Sequence, residues 1–290
     1  MASKIEWTNE TLNTISGCTK YSEGCQNCYA EKMHKRLTAM GQEKYNLPFN
    51  VIKMHNPLTE SAKRITKNTN MCFVNSMSDT FHKDVPDEYI YSLLQCLNMY
   101  GHVKFQVLTK RAERLPNFSY PENIWLGVTV EKAKYKSRID YLRKTDAKIK
   151  FLSCEPLLED LGELDLSGID WVIVGGESGN KARPMHPEWV KNIQKQCEKQ
   201  NVAFFFKQWG EWCPPLEIDE FPEKNTKFIV LLNDGRMING LYPQSINDYE
   251  KETGETLDLV KFQAHLMCKV GKSKAGSYLG RRYYKEYPKE

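Results

Sequence analysis

No stretch of this 290-residue chain approaches the run of about 20 apolar residues that a membrane-crossing helix needs, and its mean hydropathy is −0.60. That points to a soluble globular protein with no membrane partner. The first residues are polar rather than an apolar leader, and nine cysteines is an odd number, so a secreted disulfide framework is not expected. A reducing cytoplasm is. A large excess of charge of one sign is missing as well: +4 at neutral pH permits a nucleic-acid partner without demanding one. A full dinucleotide-binding glycine fingerprint is missing. Gly175-Gly176-Glu177-Ser178-Gly179 is only a fragment of one, open both to a ligand approached closely by the backbone and to an ordinary strand-to-loop turn.

What is present is a crowd of thiols near the start. Cys18, Cys25 and Cys28 stand in a C-x6-C-x2-C run on one short segment. Three thiolates can hold a metal centre while leaving a coordination position for a small molecule, as in an iron–sulfur site. The same spacing suits structural zinc if His34 is recruited as a fourth ligand, and accidental clustering is the remaining reading. The segment runs into a helix whose apolar stripe is Tyr29, Ala30, Met33, Leu37 and Met40, so the positive end of that helix favours thiolates there.

Six short apolar runs follow, at Met71–Asn75, Lys104–Thr109, Ile124–Val130, Lys150–Cys154, Trp171–Gly175 and Ala203–Lys207. Near-continuous apolarity marks strands covered on both faces, and the amphipathic segments between them read as helices, among them Ile90-Leu93-Leu94-Leu97 and Val190-Ile193-Cys197. The expected fold is α/β: a full or partial parallel βα (TIM-like) barrel over residues 1–213. In such a barrel the site lies at the C-terminal strand ends. The residues there are Asn75, Ser76, Ser78 and Asp79; Thr109, Lys110 and Arg111; Glu131; Cys154 and Glu155; Gly175, Gly176 and Glu177; and Lys207, Gln208 and Trp209. For any one of them a capping or loop role is the alternative. Residues 214–290 read as a small α+β appendage: a hairpin turning at Asn233-Asp234-Gly235, a helix near Val260–Met267, and a tail. The tail is basic (Lys269, Lys272, Lys274, Arg281, Arg282, Lys285) with Tyr278, Tyr283, Tyr284 and Tyr287 interleaved, a composition that suits phosphates and stacked bases or a packing arm equally. Of the other cysteines, Cys72, Cys96, Cys154 and Cys197 read as core residues, while Cys213 and Cys268 have no assignment.

Several stretches together resemble a known family. They are Gly17 to Glu31, Phe73-Val-Asn-Ser-Met-Ser-Asp79 with Phe81-His82, Phe105 to Arg111, Trp125 to Val128, Phe151 to Leu157, Trp171 to Gly179 with Ala182-Arg-Pro-Met185, and Phe204 to Gly210. The resemblance is to the phage-associated three-cysteine-motif family, a domain of unknown function grouped with radical S-adenosylmethionine barrels, and it spans roughly residues 5 to 213 in order.

The resemblance implies a [4Fe–4S] cluster on Cys18, Cys25 and Cys28 with S-adenosyl-L-methionine at its open iron. It also implies a 5′-deoxyadenosyl radical that takes a hydrogen atom from substrate, and an electron donor such as flavodoxin or ferredoxin. The x6 spacing departs from the usual x3 of such enzymes, and Asn27 stands where an aromatic residue is usual, with Tyr29 able to supply the ring. Gly175-Gly176-Glu177 comes late in the barrel, so Asn75, Ser76, Ser78 and Asp79 are expected to meet the cofactor with Thr109, Lys110, Glu131, Gly175, Gly176, Glu177 and Lys207. Cys154 and Glu155 are the candidate catalytic pair, Cys154 as a hydrogen-atom relay. The expected substrate is a nucleobase in DNA or a nucleotide, modified or repaired. Two other readings stand beside it: a zinc-stapled nucleic-acid-binding barrel, and a non-radical hydrolase or lyase using Asp79, Glu131, Glu155 and Glu177.

Overall fold

β-Branched and aromatic residues in uninterrupted runs make strands that must be covered on both faces, and the chain builds its larger sheet from them. A computed structural model describes residues 5–218, 225–241 and 244–289. In chain order the strands are β1 (Glu10–Leu12), β2 (Ile15–Ser16), β3 (Lys53–Met54), β4 (Met71–Val74), β5 (Lys104–Thr109), β6 (Ile124–Thr129), β7 (Ile149–Cys154), β8 (Trp171–Gly175) and β9 (Ala203–Gln208). Helices α1 (Tyr29–Ala39), α2 (Pro57–Arg64), α3 (Asp87–Asn98), α4 (Ser137–Arg143) and α5 (Pro187–Lys199) lie between them. The seven-stranded sheet has the order β1-β4-β5-β6-β7-β8-β9, an open order and so the partial form of the expected barrel. β2 and β3 pair separately as a short antiparallel ribbon.

Two compact units divide the chain. The first comprises Met1–Thr129, Ser137–Ser153 and Gly168–Asp170. Its strands β1, β4, β5, β6 and β7 pair in parallel, with Leu12 opposite Val74 and Thr109 opposite Val128. Strand β1 is three residues long, too short and polar to stand out in the sequence, and is fixed by pairing with β4. Trp7 is 2% exposed and meets Phe73 edge-on at 4.8 Å.

The second unit comprises Val130–Lys136, Cys154–Ser167 and Trp171–Glu290. β8 and β9 pair in parallel, and Trp171 packs edge-on against Phe205 at 5.8 Å. A four-stranded antiparallel sheet follows, with order β10-β13-β11-β12, from β10 (Trp212–Cys213), β11 (Lys227–Leu231), β12 (Met237–Asn239) and β13 (His265–Lys269). α6 (Gln244–Thr253) and the short α7 (Lys272–Ala275) complete it. The hairpin at Asn233-Asp234-Gly235 forms as expected, with Gly235 at φ 89°. Trp212–Cys213 pairs with β13.

Two expectations are corrected. The segment near Val260–Met267 is not a helix: Val260 is exposed, and His265–Lys269 is the central strand that joins β10 to β11, because its alternating residues fill the gap between them. On α1, Tyr29, Met33 and Met40 are exposed, and the buried side is Ala30 and His34, with Ala30 packed beside Tyr45, Met77 and Leu37. The apolar stripe on α3 is buried as expected, as is that on α5, where Pro187 opens the helix behind the His186 cap. Among the described residues, no helix is long and apolar enough to cross a membrane.

Candidate metal centre and strand-end clusters

Gly17 sets the entry to the cysteine loop. Its φ of +86° is left-handed, and a Cβ there would lie 2.0 Å from the Val51 carbonyl oxygen, so only glycine lets the chain pass. The next amide, that of Cys18, donates to the Phe49 carbonyl at 2.6 Å. The end of β4 braces the same loop. Ser78 Oγ donates to the Gly17 carbonyl at 2.5 Å, Ser76 Oγ donates to Asn13 Oδ1 at 3.1 Å, and the Tyr29 hydroxyl donates to the Ser76 carbonyl. Asn75 sits at φ +63°, where Asn is among the residues that tolerate a left-handed backbone. Its Oδ1 accepts from the Thr14 and Ile15 amides at 2.8 and 3.0 Å, while Nδ2 donates to Thr80 Oγ1 at 2.8 Å. Asn75, Ser76 and Ser78, expected as cofactor contacts, thus spend these side-chain groups on shaping the loops around the cysteines.

Asp79, 6% exposed, is the polar hub. Its carboxylate accepts from Thr109 Oγ1 at 2.7 Å, the Phe81 amide at 2.9 Å, the Lys110 amide at 3.2 Å and Arg111 Nη1 at 2.9 Å. The same Arg111 nitrogen reaches Cys18 Sγ at 4.0 Å, and Nη2 donates to the Thr19 carbonyl and Oγ1 at 2.9 and 3.1 Å. The Tyr21 ring lies 4.9 Å from the Arg111 guanidinium and 5.5 Å from that of Arg138, and its hydroxyl donates to Glu113 at 2.8 Å. His82 Nε2 meets Thr19 Oγ1 at 2.7 Å, and its Nδ1 accepts from the Asp84 amide at 3.2 Å. Burial, then the Arg111 charge, holds this imidazole below its ordinary value, and the amide N–H on Nδ1 leaves Nε2 to donate to Thr19. Burial and the Asp79 carboxylate push the Cys18 thiol up to about 12 against the opposing pull of Arg111.

Cys18, Cys25 and Cys28 are free thiols, each partly exposed, and Cys28 is the residue that caps α1. Among the described residues, no three His, Cys, Asp or Glu side chains converge as metal ligands would. The donors nonetheless fit a thiolate-held cluster by their chemistry: three sulfurs on one loop, none committed to a disulfide, at a helix N-terminus and with a guanidinium beside one of them. Closed four-ligand zinc would need His34 as its fourth ligand: His34 is 3% exposed, its Nε2 is hydrogen-bonded to the Leu47 carbonyl at 2.8 Å, its Nδ1 has no hydrogen-bond partner, its ring lies edge-on between Tyr45 and Phe49 at 5.4 and 5.3 Å, and among the described residues it does not join the thiols in a three-ligand group.

The remaining candidates lie in the second unit. Lys207 Nζ pairs with Glu155 Oε1 at 2.7 Å, both side chains mostly buried. Gly175 makes room for that pair, since a Cβ there would lie 2.8 Å from the same oxygen; at Gly176 a Cβ would lie 1.8 Å from the Trp209 carbonyl. Glu177 is clamped by Arg183 through Nε at 2.9 Å, Nη2 at 2.6 Å and the backbone amide at 2.8 Å. Glu131 is fully buried. Cys154 is fully buried, and burial, then Cys197, raises its thiol far above the ordinary value, which keeps it protonated.

Sequence reading placed Arg111 only as a rim cation and gave no role to Thr19, Tyr21 or His82. The signal was present in Thr109-Lys110-Arg111 and in Phe81-His82, but what joins them to the cysteine loop is contact across 63 to 93 residues of sequence.

The whole chain, residues 2–288, matches the family described as a protein of unknown function (DUF5131), and it belongs to that family. No curated protein matches it in sequence. Among solved structures it is similar to a cysteine-to-serine mutant of spore photoproduct lyase, 14% identical with a TM-score of 0.40, covering 90% of this chain and 76% of the other. It is also similar to spore photoproduct lyase complexed with dinucleoside spore photoproduct, 12% identical with a TM-score of 0.39 and the same coverage. A tyrosine-to-phenylalanine mutant of that lyase is 12% identical with a TM-score of 0.40, again over 90% and 76% of the two chains.

Proposed function

We propose that the protein is a radical S-adenosylmethionine enzyme whose Cys18, Cys25 and Cys28 hold a [4Fe–4S] cluster, and that it modifies or repairs a nucleobase in DNA or a nucleotide. The observation that carries this reading is the loop itself: three free, partly exposed thiols, one of them 4.0 Å from a guanidinium fixed by a buried carboxylate. A cluster with S-adenosylmethionine supplies one-electron cleavage chemistry that no amino-acid side chain offers, with an electron donor such as flavodoxin or ferredoxin as partner.

The chain's own residues do the rest. Arg111, pinned by Asp79 and Thr19, places a fixed positive charge and an N–H donor at Cys18, favouring the thiolate and the net negative charge of a thiolate-ligated centre. Tyr21 covers that guanidinium, which limits its hydration. His82 holds its Nε2 proton on Thr19 Oγ1 and so orients the residue next to Cys18. Gly17, Asn75, Ser76 and Ser78 position the loop. In the second unit, Glu155 and Lys207 form a mostly buried, opposite-charge pair at strand ends, for which Gly175 makes room. Burial keeps the Cys154 proton on sulfur, so its part in this reading is hydrogen-atom transfer.

The test is absorbance and electron paramagnetic resonance of anaerobically purified, iron- and sulfide-reconstituted protein, reduced with dithionite, before and after S-adenosylmethionine. A cluster signal that shifts with S-adenosylmethionine and is lost in the Cys18, Cys25, Cys28→Ala variant is expected. Stoichiometric zinc without a cluster in folded protein would overturn the reading.

A further inference from the structure

The tail ends in a tight two-residue hairpin. Leu279 and Arg282 exchange both backbone bonds, at 2.9 and 3.2 Å, and the two residues between them, Gly280 and Arg281, have φ of 59° and 61°. Two successive left-handed residues define the mirror-image turn that suits a hairpin, whose usual occupants are Asn-Gly or Gly-Gly. Arginine is a strained choice at the tip. Glu217 holds the turn, its oxygens accepting from the Gly280 amide at 2.8 Å and the Arg281 amide at 3.4 Å.

Beside the turn, Tyr278 and Tyr283 stack with ring centroids 4.1 Å apart and planes 34° from parallel, and Tyr283 is 59% exposed. Tyr278 and Arg281 line a cavity of about 300 Å³ with Leu216, Glu217 and Ile218. Leu216 is 80% exposed. The Arg281 and Arg282 side chains are exposed and make no ion pair or hydrogen bond among the described residues. By contrast, Lys269 and Lys285 of the same tail are spent on the carbonyls of Asn180, Phe206 and Lys207, and Trp209 Nε1 anchors the segment by donating to the Tyr278 carbonyl at 2.7 Å.

We infer that this hairpin is a binding subsite for single-stranded nucleic acid, one unpaired base stacking on the Tyr283–Tyr278 platform while Arg281 and Arg282 hold the flanking phosphates. The chemistry sorts itself by charge. The Glu217 carboxylate in the cavity wall repels a phosphate, so the cavity takes a base edge and the anions go to the two guanidiniums. Rings with an exposed face bind any base through its π-face, and a duplex, with its bases stacked inside, offers none. The subsite rests on the proposed function only in its choice of a nucleic-acid ligand. It needs no cluster.

The test uses fluorescence anisotropy with the full chain, a labelled single-stranded oligonucleotide, the same sequence as duplex, and heparin as a polyanion without bases. The expected result is tighter binding of the single strand than of duplex or heparin. Tyr283→Ala should weaken the single strand about tenfold with little effect on heparin, and Arg281→Ala with Arg282→Ala should weaken all three and lower the salt slope by about 1.4. Arg281→Gly is the control for folding: glycine suits the left-handed turn, so the thermal midpoint holds or rises while affinity falls. Equal affinity of wild type and Tyr283→Ala for the single strand would overturn the subsite, as would unchanged affinity in Arg281→Gly. Retention of binding by the Cys18, Cys25, Cys28→Ala variant supports it and separates it from the cluster; a cluster-bearing protein that binds no single strand would overturn the subsite alone.

Discussion

Two groups of cysteines occupy this molecule under opposite conditions. Cys18, Cys25 and Cys28 lie partly exposed on a loop braced by polar contacts to Phe49, Ser78 and an Arg111 held by Asp79, with Cys28 packed beside Ala30, Tyr45 and Met77. Cys213 and Cys268 face each other across β10 and β13 with sulfurs 4.0 Å apart, both fully buried in an antiparallel sheet. There the hydrogen bond between them lowers Cys268 and raises Cys213, so one sulfhydryl serves the other and neither meets solvent. The sulfur chemistry is the same in both places. Access and a neighbouring cation set the first group apart from sulfur used in packing.

The largest expected effect breaks the comparison outright if it fails. Replacing Cys18, Cys25 and Cys28 by Ala should abolish iron incorporation, measured as iron and sulfide per chain after reconstitution, while Cys213→Ala with Cys268→Ala should leave it unchanged. Equal loss in both variants would mean that the two groups do not differ as argued. Next, Arg111→Ala strands the buried Asp79 carboxylate and should cost roughly 3 kcal/mol in denaturant unfolding of the metal-free chain, as well as lowering cluster occupancy. Lys at position 111 keeps the charge but not the fork that joins Asp79 to Thr19, so recovery should be partial.

Gly17→Ala sharpens the comparison by moving the loop without touching a sulfur. The clash with the Val51 carbonyl, added to the positive φ, should cost about 2 kcal/mol and reduce iron content more than the stability loss accounts for. The last effect belongs to the buried side. His186 is fully buried, with Nε2 on the Gln263 carbonyl at 2.8 Å, and desolvation holds it down to about 4. Because the folded value is depressed, its stabilising contribution is present above the unfolded value of about 6.5 and is lost as pH falls through about 4. Denaturant midpoints measured across that window should fall with pH, and His186→Gln should flatten part of the decline.

The long strands were legible because their apolar runs are continuous and β-branched, and the observed boundaries of Lys104–Thr109 and Trp171–Gly175 coincide with those read from the sequence. Glu10–Leu12 was not, since three residues with a single buried apolar side chain carry no periodicity. The stripe on α1 misled for a related reason: Tyr29, Met33 and Met40 share a helical face, but the packed face contains His34, a polar residue that sequence pattern assigns to solvent or to a metal. At the site, the three cysteines announced themselves by crowding. Arg111 did not, because a cation after a strand looks the same whether it faces water or a thiol.

By itself the sequence determined the class of fold, the loop that carries the thiols and the composition of the tail, since each follows from local pattern: apolar period, cysteine spacing, basic and aromatic residues side by side. Only the tertiary structure decided which polar groups are already spent. Asn75, Ser76, Ser78 and Glu177 are expected cofactor contacts in one dimension, and in the fold their side chains also brace loops or hold an arginine, because a buried polar atom must find a partner. The same rule left Arg281 and Arg282 exposed at a strained turn, where no buried group competes for their charge.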